Sequence, residues 1–207
     1  MRQILAFGDS NTWGLVPGSK NHERYPWGVR WTSILQDKLS DDVRIVEEGL
    51  CGRTTVFEDE LRPGRKGESA LAFLMESHYP LDGVIIMLGT NDCKTVYNAS
   101  AHIIGIGMER CLDTIERYVS PQRILLVSPI HLGKEVWQPC KDPEFDNDSV
   151  RKSESLKEVF GRIAVRRGIH FIAASDYVEP SSIDDEHMDD RGHRTFAQVI
   201  IDKKIFP

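Results

Sequence analysis

The sequence has no excess of positive charge. Its 26 Lys and Arg residues are outnumbered by 32 Asp and Glu residues, which gives a formal net charge of -6 at pH 7. Nucleic acids and anionic membrane surfaces bind proteins through clustered basic residues, so neither is expected as a partner. The composition favours an uncharged small molecule as the ligand.

Long hydrophobic runs are also missing. The longest apolar stretch, residues 83–89, is far shorter than the roughly 20 residues that a membrane-spanning helix needs. The apolar run near the N-terminus, residues 4–7, is too short for the core of a signal peptide, and the acidic Asp9 follows it. These features predict a cytoplasmic protein.

Cysteines are few and widely spaced. There are 4, none of them in a C-x-x-C pair: Cys51, Cys93, Cys111 and Cys140. Dense cysteine spacing is typical of secreted disulfide scaffolds, and clustered Cys and His ligands are typical of zinc sites. We therefore expect free thiols, no metal and no cofactor.

The remaining composition is that of an ordinary globular protein. Over its 207 residues the chain is 40% hydrophobic and 28% charged. No internal repeat, low-complexity tract or linker interrupts it. We expect one domain over residues 1–207.

Short apolar runs alternate with longer segments of helical period. Nearly continuous apolar runs predict strands that helices cover on both faces, at residues 3–7, 43–46, 84–88, 124–128 and 170–173. Helical period predicts helices at residues 31–39, 69–78, 101–119, 155–167 and 195–203. This alternation predicts an α/β fold, a flavodoxin-like three-layer α/β/α sandwich with a five-stranded, mainly parallel sheet. Ligands of such folds bind at the carboxyl ends of the strands.

The first candidate functional residue, Ser10, follows the first predicted strand. Gly8 permits a sharp turn that exposes the Ser10 hydroxyl at the end of that strand. Backbone N–H groups at the start of the next segment can then bind a developing oxyanion. Ser10 could equally be only a helix cap.

The second candidate is His187, near the other end of the chain. A serine hydroxyl is a weak nucleophile and needs a base, which is usually histidine. Asp184 precedes His187 by three residues, so one turn of chain can place its carboxylate beside the ring. We favour His187 over His193 as the base. The six carboxylates of residues 179–190 could instead form a solvated acidic loop or attract Ca²⁺.

Two further segments follow predicted strands. Asn91 ends the most apolar strand with an amide side chain, which is a donor of the kind that oxyanion holes use. Gly52 lies in a glycine-containing stretch after the second strand, where a backbone N–H can be presented without obstruction. These glycines could also do no more than end a strand.

The four segments together resemble the conserved blocks of the SGNH, or GDSL-type, hydrolase superfamily. Their counterparts are residues 8–12, 49–52, 89–92 and 184–187, spread over nearly the whole chain. The resemblance implies a serine hydrolase in which Ser10 is the nucleophile, His187 the base and Asp184 its partner. It also implies an oxyanion hole formed by the N–H groups of Ser10 and Gly52 and the side chain of Asn91.

A closer likeness covers residues 24–31, 47–55, 81–92 and 101–108, which are similar to the arylesterase and acyltransferase (perhydrolase) branch. It implies a carboxylic ester hydrolase for short acyl esters of aryl or alkyl alcohols, with acyl transfer to alcohols, in a homo-oligomer. Cys51 and Cys93 depart from the smaller or hydroxyl residues that are usual in that branch.

Two other functions remain open. A carbohydrate O-acetylesterase would use the same residues. A non-catalytic nucleotide- or flavin-binding module could share the fold, since fold alone does not fix function. Against that module, the first loop lacks the glycine-rich phosphate-binding motifs and places bulky Trp13 where a phosphate would need close backbone approach.

Two connections, residues 11–30 and 131–153, are longer than usual. Long loops in a compact domain tend to carry binding residues, so both are expected to border the site or an oligomer interface. Their tryptophans, Trp13, Trp27 and Trp137, could line an apolar acyl pocket as substrate-binding residues. Packing in the core or at an interface would account for each of them equally well.

Overall fold

The computed structural model describes residues 1–39 and 41–206. Five strands form its sheet: β1 (Arg2–Gly8), β2 (Val43–Gly49), β3 (Gly83–Met87), β4 (Ile124–Ser128) and β5 (His170–Ala173). Their order is β2-β1-β3-β4-β5, and every neighbouring pair is parallel. The predicted flavodoxin-like sandwich is therefore confirmed, with a sheet that is parallel throughout.

The described residues form six α-helices: α1 (Ser10–Trp13), α2 (Trp31–Lys38), α3 (Gly67–Ser77), α4 (Ala101–Ile115), α5 (Asn147–Arg167) and α6 (Asp190–Asp202). Helices α2 and α6 pack together on one face, and α3, α4 and α5 pack side by side on the other. Within residues 1–39 and 41–206, no helix is both long and apolar enough to cross a membrane.

Each strand contributes to two hydrophobic cores. In β1, Ile4 and Ala6 pack with the core under α2 and α6, whereas Leu5 and Phe7 pack with the core under α3, α4 and α5. Successive side chains of a strand point to opposite faces of the sheet. Because both faces are covered, all four residues are buried, which explains why the strand is a continuous apolar run.

Two helices begin earlier than their hydrophobic period predicts. Helix α5 begins at Asn147 rather than residue 155, because Asp146 and Ser149 form a reciprocal capping box. Helix α6 begins at Asp190 rather than residue 195, because the Asp189 side chain caps the amide of Gly192. Both first turns are polar, so periodicity alone missed them. The predicted loop 131–153 accordingly ends at Asp146.

The other predicted boundaries differ by a few residues. Strand β2 continues to Gly49 because its backbone pairs with β1 up to Gly8, although Glu47 and Glu48 are polar. The predicted loop 11–30 begins with the short helix α1, whose first turn is capped by Asp9. Backbone pairing and capping, which apolar patterning does not report, account for these differences.

The connections of β1 create the crevice in which ligands of such sheets bind. From β1 the chain passes to β2 on one side and then returns to β3 on the other side of β1. At such a switch point the loops diverge and leave a crevice at the carboxyl ends of the strands. The segments that hold Ser10, Gly52 and Asn91 follow β1, β2 and β3 and meet at this edge.

Candidate active site

Ser10 lies at the first position of α1, directly after β1. The side chain of Asp9 accepts a hydrogen bond from the Asn11 amide at 3.0 Å, which starts the helix at this point. Ser10 is therefore not the capping residue, and its hydroxyl is free to turn toward the cleft above the sheet. The alternative in which Ser10 only caps a helix does not fit this geometry.

The structure brings Ser10, His187 and Asp184 into one hydrogen-bonded chain. His187 Nε2 lies 2.9 Å from Ser10 Oγ, and His187 Nδ1 lies 2.8 Å from Asp184 Oδ2. All three residues are buried. In this arrangement the carboxylate orients the ring, and the far nitrogen of the ring can accept the serine proton.

Asp184 is held in place by three backbone amides. Its Oδ1 accepts from the amides of Glu186 at 3.1 Å and His187 at 3.0 Å, and its Oδ2 accepts from the amide of Gly18 at 3.0 Å. Burial acts to raise the pKa of Asp184, but the hydrogen bonds and charge of His187 outweigh it and keep the pKa below its ordinary value. Asp184 is thus an ionised partner for the ring. The contribution of Gly18 was not visible in the sequence.

His187 lies among three carboxylates. Burial acts to lower its pKa, but Glu186, Asp184 and Asp9 together raise the pKa to about 9. Glu186 Oε1 is 3.7 Å from His187 Nε2, the nitrogen that faces Ser10. The free site therefore favours a protonated ring at neutral pH, and the basic form appears in alkaline solution.

Three hydrogen-bond donors border the cleft above Ser10. The Asn91 Nδ2 donates to the carbonyl oxygen of Arg53 at 3.1 Å, which fixes the amide and leaves its second N–H. The backbone amides of Ser10 and Gly52 make no hydrogen bond to any of the described residues. Gly52 has a φ of 82°, a conformation that favours glycine. The structure thus brings the three predicted oxyanion-hole groups to one cleft with Ser10 and His187.

Asp92 connects the loop that carries Asn91 to the loop that carries Gly52. The amide of Thr55 donates to both carboxylate oxygens of Asp92, at 3.0 and 3.1 Å, and the Thr55 hydroxyl donates to the same carboxylate. Burial raises the pKa of Asp92 to about 6, against the effect of these hydrogen bonds. Asp92 therefore holds the loop that carries Asn91.

The cleft itself has a volume of about 230 Å³, and five Arg, Lys, Asp and Glu side chains are part of its wall. Both long loops contribute residues to the lining of the cleft, as expected. Leu15 and His22 come from the first loop, and Asp142 and Glu144 come from the second. The remaining charged wall residues, which the sequence did not single out, are Arg62, Lys94 and Glu186. They come from separate loops and carry no common spacing that could have revealed them.

The three tryptophans differ from the expectation of an apolar pocket. They do not belong to the described residues that line the cleft. The Arg24 guanidinium covers the ring of Trp13, and Trp27 and Trp137 are 55% and 42% exposed. Trp27 Nε1 donates to Asp37, and Trp137 Nε1 donates to the Lys134 carbonyl. Each ring contacts its own loop or a neighbouring helix, so the expected role of the tryptophans in an apolar pocket is not seen.

His193 and Cys51 are close to the site but lie outside the hydrogen-bonded chain. His193 is fully buried in α6, where its Nδ1 faces the amide of Trp31. Asp190 precedes His193 by the same three residues that separate Asp184 from His187, yet Asp190 pairs with Arg194. Burial lowers the pKa of His193 to about 4. Cys51 lines the cleft as a thiol, because burial raises its pKa to about 11.

The cysteines and the acidic residues 179–190 are the groups of the sequence that a metal ion could bind. All four cysteines are free thiols. Among residues 1–39 and 41–206, no group of three or more His, Cys, Asp or Glu side chains is arranged to hold a metal ion. The carboxylates near His187 instead surround its ring or bond backbone amides.

Comparison with known proteins identifies the family. The model of the GDSL-like lipase/acylhydrolase family matches residues 6–195. The structure of Est24, a carbohydrate acetylesterase from Sinorhizobium meliloti, is similar with a TM-score of 0.88 and 33% identity over 98% of both chains. The native aryl esterase of M. smegmatis is similar with a TM-score of 0.89 and 30% identity over 98% of both chains. No curated protein sequence gives a significant match.

A further carbohydrate acetylesterase family member from Sinorhizobium meliloti has a TM-score of 0.87 and 28% identity over 99% of both chains. These neighbours agree with the family model, whose match over residues 6–195 includes Ser10 and His187. The chain belongs to the GDSL-like lipase/acylhydrolase family, within the SGNH hydrolase superfamily, and is a hydrolase of the esterase type.

Proposed function

We propose that the protein is a serine esterase that hydrolyses short-chain carboxylic esters through an acyl-Ser10 intermediate. The observation that carries this proposal is the chain of two hydrogen bonds, 2.9 Å from Ser10 Oγ to His187 Nε2 and 2.8 Å from His187 Nδ1 to Asp184 Oδ2. A serine with this partner is an activated nucleophile, and the ester carbonyl is its natural target.

The reaction follows from the positions of these groups. Ser10 Oγ attacks the carbonyl carbon while His187 Nε2 takes its proton, and the carbonyl oxygen becomes an oxyanion. The N–H groups of Ser10, Gly52 and Asn91 bind that oxyanion. His187 then gives the proton to the leaving alcohol, which breaks the ester bond and leaves the acyl group on Ser10. A water molecule, activated by His187, releases the acid and restores the hydroxyl.

The size of the cleft supports short acyl groups. Its volume of about 230 Å³ is below the roughly 300 Å³ at the lower end of ligand pockets, so it suits an acetyl-type group better than a long chain. An alcohol that enters in place of water would receive the acyl group instead. We therefore include acyl transfer to alcohols, from aryl or alkyl acetates, in the proposal.

A carbohydrate O-acetylesterase is the second candidate. The charged wall supports it, because Lys94, Asp142 and Glu144 offer hydrogen-bond donors and acceptors to the hydroxyl groups of a sugar. An aryl alcohol would instead favour an apolar wall. The two candidates share the acyl-Ser10 chemistry and differ only in the alcohol.

A panel of esters tests both candidates. The panel contains p-nitrophenyl esters of increasing acyl length and acetylated sugars, each with and without added alcohol. We expect hydrolysis of acetates, falling with acyl length, and loss of activity in Ser10→Ala. Ser155→Ala, an exposed serine of α5, is the matched control and should retain activity. A wild-type protein inactive on the whole panel, and purified with a bound nucleotide, would be a binding module instead.

A further inference from the structure

Glu186 is the wall residue that lies nearest to the reacting nitrogen. Its Oε1 is 3.7 Å from His187 Nε2, and that same nitrogen lies 2.9 Å from Ser10 Oγ. The Glu186 side chain is only 7% exposed, and the exposed part lines the cleft. The carboxylate therefore stands beside the point where a leaving alcohol collects its proton.

The cations of the wall are already paired with other carboxylates. Lys94 Nζ contacts Glu144 and lies 3.7 Å from Asp142 Oδ2. Arg62 Nε lies 2.9 Å from Asp59 Oδ2. Lys94 thus forms ion pairs with two carboxylates, Asp142 and Glu144. Arg62 forms an ion pair with Asp59, which does not line the cleft.

Glu186, in contrast, forms no ion pair with a Lys or Arg side chain of the described residues. Among the described residues its carboxylate accepts no hydrogen bond, and its one close charged contact is the ring of His187. Asp184 adds negative charge on the far side of that ring, where its carboxylate contacts Nδ1. Burial acts to raise the pKa of Glu186, whereas the charges of His187 and Lys94 act to lower it. The ionised Glu186 carboxylate places a negative charge on the alcohol side of the site.

This charge acts on the alcohol part of a substrate. The ester oxygen must approach His187 Nε2 to be protonated, so the groups attached to it pass the Glu186 carboxylate. A positive charge there is attracted, and a negative charge is repelled, more strongly than in bulk water because the site is largely buried. A hydroxyl gains one hydrogen bond but leaves the charge uncompensated.

We propose that Glu186 determines specificity, selecting esters whose alcohol part carries an ammonium group close to the ester oxygen. This inference rests on the proposed esterase function and defines its substrate more narrowly. It assigns to Glu186 the recognition of the alcohol and leaves the acyl chemistry with Ser10 and His187.

A matched pair of acetates tests the proposal. Acetylcholine and 3,3-dimethylbutyl acetate have nearly the same shape, but only the first is charged. The wild-type protein, Glu186→Gln and Glu179→Gln are compared by the ratio of kcat/KM for the two esters. Glu179 is exposed and does not line the cleft, so its variant removes one charge elsewhere. We expect the ratio to fall by about tenfold in Glu186→Gln and to stay unchanged in Glu179→Gln.

The ratio isolates recognition from base strength. Any change in the basicity of His187 alters kcat/KM for both acetates by the same factor, so the ratio of the two values does not change. Raising the salt concentration to about 0.5 M should also reduce the wild-type preference for acetylcholine, a measurement that needs no variant.

Two results would overturn the inference. One is a ratio that is equal in wild type and Glu186→Gln and independent of salt. The other is a wild-type preference for hydroxyl-rich acetates over both test esters. If the wild type cleaves neither test ester nor p-nitrophenyl acetate, the esterase proposal itself fails, which is a distinct result.

Discussion

The side-chain oxygen of Asn11 accepts a hydrogen bond from the backbone amide of Met188 at 2.8 Å, although the two residues are 177 positions apart. The Asn11 Nδ2 donates to the carbonyl oxygen of Glu186 at 3.3 Å. The residue after Ser10 thus bonds to the residues on both sides of His187. This connection fixes the nucleophile and the base relative to each other.

Removing that connection should reduce turnover more than substrate binding. In Asn11→Ala two buried backbone groups lose their partners, which costs about 1–3 kcal/mol of stability for each group. The expected result is a folded protein of lower Tm, with a lower kcat and a nearly unchanged KM, measured by calorimetry and steady-state kinetics. Asn147→Ala, an exposed position at the start of α5, is the control. An Asn11→Ala protein with wild-type kcat would show that the connection does not position the site.

The hydrogen-bonded chain predicts a pattern of non-additive losses. Ser10→Ala and His187→Ala should each reduce kcat by orders of magnitude, and the double variant should be little worse than either, because the residues act as a unit. Asp184→Asn should cost less than Ser10→Ala. The exposed His102→Ala is the control for loss of a histidine. Multiplied losses in the double variant would indicate independent roles.

The pH profile is expected to be alkaline. His187 must be neutral to accept the serine proton, so kcat/KM should rise with pH through its pKa. An ordinary environment would place that midpoint near neutrality, but the surrounding carboxylates raise the pKa to about 9. Replacing Glu186 by Gln removes one negative charge, which should lower the midpoint. A profile of kcat/KM in both proteins checks the direction, and an unshifted midpoint would contradict it.

Gly52 offers a test of the oxyanion donors. An ideal Cβ at Gly52 would lie 3.0 Å from Arg62 Nη2, at a φ of 82° that L residues rarely adopt. We expect Gly52→Ala to lower kcat by about 10²–10³-fold, because a displaced amide no longer binds the oxyanion. Gly64→Ala is a matched control, since Gly64 has a φ of 90° but nothing within 4 Å of the added Cβ. Equal losses in both variants would assign the effect to backbone strain.

The apolar pattern of the chain was enough to predict the layers of the fold. The central strands β3 and β4 are buried along their whole length, so their sequences are almost continuously apolar. The buried residues of α4 recur at the helical period. The starts of α5 and α6 were missed because capping by Asp146 and Asp189 depends on polar side chains, which periodicity ignores.

The candidate site was predictable only in part. Asp184 and His187 are close in sequence, so their contact follows from one turn of chain. The contact of His187 with Ser10 spans 177 positions, and only the family resemblance implied it. The charged wall was not predicted, because Lys94 and Glu144 meet through the folding of two loops whose paths leave no signal in the sequence.

The most direct test of the central claim is to identify the residue that becomes acylated or phosphorylated. Diethyl p-nitrophenyl phosphate forms a stable phosphoryl adduct with an activated serine. After incubation, peptide mass spectrometry locates the adduct while residual esterase activity is followed in parallel. We predict one diethylphosphoryl group on Ser10 that accumulates as activity is lost. Ser10→Ala should form no adduct, and His187→Ala should form it more slowly than the wild type. An adduct on Cys51 or another residue, or full activity in Ser10→Ala, would contradict the account.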